Sequence, residues 1–182
     1  WCQTMSNLRL INETEITSGV STVNIEDVFS ADFDIYKIVA NDLSTVGTLQ
    51  TDPDLRFINS SGSVISASNY DYAHLLMFTH TSFSVQRATS QAQLYRFFSQ
   101  SVDQSPESGN QVSYIFNPFS NSSYSFAIYQ SNSALAGIKT VIKGIGVLKQ
   151  TASMTGFQVR DSNTTRPFAG GTIKTYGLRV DS

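Results

Sequence analysis

The side chains of this 182-residue sequence that could carry chemistry are two histidines, scattered carboxylates and many serines. His74 and His80 lie six positions apart. In an extended strand an even separation puts both on one face, about 20 Å apart and too far to share a metal. Asp52, Asp54 and Asp71 fall near turn residues, where carboxylates could ligate calcium. No loop, however, has the dense Asp, Asn and Gly spacing that a calcium site needs. Asp103 and Glu107 sit in a polar stretch and read as solvated charge. No serine stands in a Gly-x-Ser-x-Gly elbow, and Gly144-Ile145-Gly146 lacks the third glycine and following helix of a phosphate loop. The one cysteine, Cys2, allows neither a disulfide within the sequence nor a cysteine-built metal centre. No catalytic, cofactor-binding or metal-binding residue is therefore assigned.

The elements that would position these side chains read as strands. Charged residues make up 14% of the chain, against about 25% in an ordinary soluble domain. Polarity comes instead from Ser, Thr, Asn and Gln, which suit strands and turns better than helix surfaces. Extended patterns are expected over Glu15–Val20, Ser21–Phe29, Asp34–Leu43, Leu55–Asn59, Ser63–Ala67, Tyr72–Phe83 and Leu94–Phe98. Others are expected over Val112–Asn117, Tyr124–Tyr129, Met154–Arg160 and Thr172–Val180. Asp34–Leu43 is apolar on both faces, which predicts a strand covered on both sides. Ile138–Lys149 fits helical and extended spacing alike, and Gly144, Gly146 and its β-branched run favour a strand. Gln100–Gln111, with Pro106 and Gly109, reads as a polar connecting loop, and Gly170-Gly171 as a turn.

About ten short strands without a long amphipathic helix predict an all-β fold, an antiparallel β-sandwich of jelly-roll type. Residues 5–182 are expected to form a single domain. Residues 1–4, before Met5-Ser6-Asn7, are expected to be an N-terminal extension. The net charge is -2 with no basic block, which argues against a nucleic-acid partner, and no apolar run is long enough to cross a bilayer. Tyr70, Tyr72, Tyr114, Phe116, Phe119, Tyr124 and Tyr129 crowd the middle of the chain. Such rings serve core packing or contacts between subunits, with a sugar-stacking platform as the alternative.

Several stretches together resemble a known kind of protein. They are Leu8–Thr14, Val28–Ile38, Leu55–Asn59, Asn69–Tyr72, Ile115–Pro118 and Gly171–Arg179. In this order they are similar to a jelly-roll module of small virion structural proteins and appendages of tailed bacteriophages, of the marine or cyanobacterial phage type. The resemblance implies a non-enzymatic virion part, made in the bacterial host cytoplasm and decorating the capsid or an appendage. It implies assembly with the major capsid protein or appendage proteins and with sister copies as a homo-oligomer, and it carries over no active residues. The alternative is a lectin-like module of a tail fibre or receptor-binding appendage that grips a host-surface glycan.

Overall fold

The structure, a computed structural model, describes residues 7–47, 53–99, 101–102, 108–135, 138–161 and 166–179. Among the described residues twelve strands follow one another without a helix. They are β1 (Leu8–Glu15), β2 (Thr22–Ile25), β3 (Ile35–Thr45), β4 (Asp54–Asn59), β5 (Tyr70–Phe78) and β6 (Ser84–Gln91). The rest are β7 (Ser101–Val102), β8 (Gly109–Phe116), β9 (Ser125–Leu135), β10 (Ile138–Leu148), β11 (Met154–Arg160) and β12 (Phe168–Leu178).

A large sheet runs β1-β12-β3-β8-β9-β10-β5-β6, with the short β7 in parallel against β3, and a three-stranded sheet runs β2-β11-β4. All other pairings are antiparallel. The chain passes from one sheet to the other at each step from β1 to β5, and again from β10 through β11 to β12. This is the expected antiparallel sandwich of jelly-roll type.

Between the sheets lies a core rich in rings. Tyr36, Phe57 and Phe157 pack around Phe29, with the Phe29 and Tyr36 rings 4.7 Å apart in an edge-on contact. Tyr70 clamps the layers together. Its ring, on β5, stacks on Phe57 of β4; its hydroxyl accepts the Phe57 N–H at 2.9 Å and donates to the Ile65 carbonyl at 3.0 Å. Burial pushes the Tyr70 hydroxyl pKa well above its ordinary value. Tyr70→Phe keeps the ring and strands both backbone groups, so the variant is expected to lose about 2 kcal/mol. Urea unfolding at neutral pH measures it, and an unchanged midpoint would refute the clamp.

Several expected elements differ. The strand placed at Glu15–Val20 lies earlier, at β1, and Ile16 beyond it is buried. Ser63–Ala67 contributes only the Ile58–Val64 bridge. Leu94–Phe98 makes one bridge and then turns, its Leu94, Phe97 and Phe98 side chains filling the core instead of a sheet position. β6 stands where no strand was expected, and Gly170-Gly171 lies inside β12 at a bulge, not in a turn. Part of the expected 100–111 loop is strand, in β7 and β8, and residues 103–107 lie outside the described residues. β3 is covered on one face only. Tyr36, Ile38 and Ala40 are buried, while Ile35, Lys37 and Val39 on the other face are half-buried with no second layer over them.

Candidate functional site

Along most of their length the strands β8, β9 and β10 alternate between buried and open positions. Many of their inward positions are small, namely Ser113, Ser125, Ala127, Ser131, Ser133, Gly144 and Gly146, beside the larger Gln111, Ile115, Tyr129, Ile142 and Leu148. Large side chains from elsewhere fill the space these leave. A Cβ on Gly144 would lie 2.4 Å from Tyr129 Cζ, and one on Gly146 would lie 2.7 Å from Leu94 Cδ2. Because Gly144 leaves its place empty, the Tyr129 ring crosses β10 from β9 and reaches His74 on β5. Its hydroxyl lies 3.1 Å from His74 Nδ1, while His74 Nε2 lies 3.1 Å from Gln86 Oε1. An amide oxygen only accepts, so the neutral imidazole carries its proton on Nε2 and accepts from Tyr129 at Nδ1. Burial lowers the His74 pKa, against the opposing effect of the Gln86 bond. This histidine is a packed core group with both nitrogens used.

The outward positions of the same strands carry the large apolar side chains. Register places them in rows across the sheet. One row runs Lys37, Tyr114, Ile128, Ile145, Ala73 and Arg87 across β3, β8, β9, β10, β5 and β6. The next runs Val39, Val112, Gln130, Lys143, Leu75 and Val85. A third joins Ile35, Phe116, Phe126 and Val147, and a fourth joins Asn110, Asn132, Val141 and Met77. Val85 is 72% exposed, Ile145 60%, Phe126 and Ile128 46% each, and Val112 41%.

With strands about 4.8 Å apart and same-face residues about 6.8 Å apart, this grid measures roughly 24 Å by 20 Å. Its surface is a trough of about 990 Å³ over Val112, Tyr114, Ile128, Val141 and Ile145. A second hollow of about 700 Å³, bounded by Phe116, Phe126 and Arg87, adjoins it and shares Ala73, Ile128 and Ile145. Solitary soluble proteins seldom leave so continuous an apolar area uncovered.

Unpaired charge on this face, among the described residues, has one sign. Lys143 stands at its centre and Lys37 and Arg87 at its flanks, with no ion pair to any of the three among the described residues. Its border carboxylate, Asp71, is already engaged. It meets Lys149 Nζ at 2.8 Å and accepts the Ser90 N–H at 2.8 Å, and these bonds, the lysine's foremost, hold it below the usual carboxylate pKa.

The residues weighed first for chemistry do not converge. His80 lies past the end of β5, exposed, with its ring 6.1 Å from that of Phe78. Asp54 is fully buried beside Arg160, and Asp52, Asp103 and Glu107 lie outside the described residues. Among the described residues no group of three His, Cys, Asp or Glu side chains is placed to hold a metal. The aromatic residues divide: Tyr70 and Tyr129 are core, whereas Tyr114, Phe116, Tyr124 and Phe126 are half-buried or exposed. The contributions of Lys143, Ile145, Val85 and Arg87 were not foreseen in sequence. Lys143 and Ile145 alternate with Gly144 and Gly146, but that pattern alone does not say which face is inward; the packing of Tyr129 and Leu94 over the two glycines does. Compared with known proteins, the chain matches no family model, no curated protein and no solved structure.

Proposed function

We propose that the chain is a non-enzymatic structural component, of the virion kind its sequence resembles, seated on a larger assembly through the outer face of the large sheet. The observation that carries this reading is the apolar grid from β3 to β6, open on a sheet whose other face packs against the core through β3, β8, β9, β10 and β5. Such area favours association by the hydrophobic effect, and its footprint of roughly 480 Å² is over half of the roughly 800 Å² per partner of a standard interface. Its floor is mostly β-branched and aliphatic, with Tyr114, Phe116 and Phe126 among these side chains, which suits another protein. The amides of Asn110, Gln130 and Asn132 beside Tyr114 supply the one feature that suits a glycan.

The test is incorporation into particles. In gradient-purified virions from the host that carries this sequence, mass spectrometry is expected to find the protein in stoichiometric amount. Ile145→Glu, at an exposed position that leaves the core untouched, is expected to reduce its incorporation at least tenfold while the free protein still folds. Absence of the wild-type protein from the particles would overturn the reading.

A further inference from the structure

The sign of the charge on the outer face suggests what covers it. Lys37, Lys143 and Arg87 are uncompensated there, so two such faces packed on each other would bring like charge together. The complementary surface is on the same chain. The connection from β2 to β3 carries Glu26, Asp27, Asp32 and Asp34, all exposed, and no Lys or Arg. None of the four makes an ion pair among the described residues. By contrast, from Arg87 to Arg160 the described charged residues are all basic. The molecule therefore has an acidic tip and a basic apolar face.

The tip is also rigid. Val28 and Phe29 are buried and donate their N–H groups to the Thr155 carbonyl at 2.8 and 3.0 Å. The Tyr36 hydroxyl accepts the Ser30 N–H at 2.7 Å and donates to the Ser30 carbonyl at 2.9 Å. Little conformational freedom remains to be lost when this loop docks, which favours binding.

Building on the assembly reading above, we infer that the occupant of the trough is a second copy of this chain, joined head to tail. The acidic 26–34 loop of one copy seats on the apolar, lysine-centred outer face of the next. Apolar contact with Ile128, Ile145 and Val112 supplies affinity, and Lys143, Lys37 and Arg87 set orientation against Asp32, Asp34 and Glu26. A contact between two different surfaces does not close on itself as a two-fold dimer does. It propagates into a ring or a filament.

Sedimentation velocity of the purified chain at low ionic strength tests this. Species larger than a dimer are expected to grow with concentration and to retreat toward monomer as salt is added. Arg87→Glu/Lys143→Glu reverses the face, and Asp32→Lys/Asp34→Lys reverses the tip; each alone is expected to weaken association roughly tenfold or more. Mixed in equal amounts, the two variants are expected to associate again, because each then offers the charge the other lacks. All substituted side chains are exposed, and circular dichroism verifies that both variants fold. A wild-type chain that stays monomeric overturns the inference, as does a tip reversal without effect or a species that stops at the dimer. A chain found in virions yet monomeric in solution would sink only the head-to-tail contact, whereas absence from virions would sink the assembly reading itself.

Discussion

Gly156→Ala is expected to destabilise the fold by about 3 kcal/mol or more, because the methyl would meet main chain on two sides. Gly156 lies in β11 where β2 crosses closest. A Cβ there would fall 2.3 Å from the Ile25 carbonyl oxygen and 3.0 Å from the Glu26 Cα. Both obstacles are main chain, so no rotamer change relieves them. Relief requires β2 to move away from β11, which breaks the Phe157–Ile25 pairing and opens the layer over Phe29 and Phe157. Gly170→Ala is the matched control, since a Cβ there meets nothing nearer than the Ile16 carbonyl oxygen at 4.0 Å. Chemical denaturation of both variants decides the matter. A Gly156→Ala midpoint equal to that of Gly170→Ala would refute the close approach.

Stability should also respond to pH through Asp54, and in the direction opposite to that of most paired carboxylates. Asp54 is fully buried. Burial pushes its pKa up to about 6 from 3.8, although Arg160, at 3.4 Å, the Arg96 N–H and Arg56 pull it down. A carboxyl whose folded pKa exceeds its unfolded value holds its proton more tightly in the fold. Protonation between the two values therefore stabilises the folded state. As pH falls from 7 to about 4, this residue is expected to add about 2 kcal/mol. His74 works against it, because its folded pKa lies below the ordinary value and the fold is weakened once the unfolded imidazole protonates. The difference between wild type and Asp54→Asn isolates the carboxyl. In urea titrations at successive pH values, the wild type should gain on the variant on acidification. A constant gap from pH 7 to 4 would show that Asp54 stays ionised throughout.

The strands that sequence patterning located, at least in part, are those with an alternation or an apolar run: β2 to β5 and β8 to β12. β6 was invisible because Ser84–Gln91 is an edge strand with only Val85 and Ala88 apolar, and its hydrogen bonds are made on one side. β1 was displaced because a bulge between Leu10 and Asn12 breaks its period. Leu94–Phe98 misled in the other direction, since apolar density there serves the core without joining a sheet. The face was the harder matter. Val112, Tyr114 and Phe116, and likewise Tyr124, Phe126 and Ile128, share a side in both readings, but alternation alone does not say which side is inward. Only the tertiary fact that Tyr129, Leu94 and Phe97 fill the space over the small residues turns the larger set outward.

The crossing of Tyr129 over Gly144 has a consequence for how this sequence can change over time. A ring at position 129 is compatible only with the absence of a side chain at 144, and Leu94 stands in the same relation to Gly146. Neither member of such a pair drifts freely while the other is kept. Descendants of this chain should therefore exchange them together, a smaller residue at 129 accompanying a methyl at 144. The outward neighbours Lys143 and Ile145 carry no such tie to the core, so the outer face can change with whatever surface it meets while the interior beneath it stays locked.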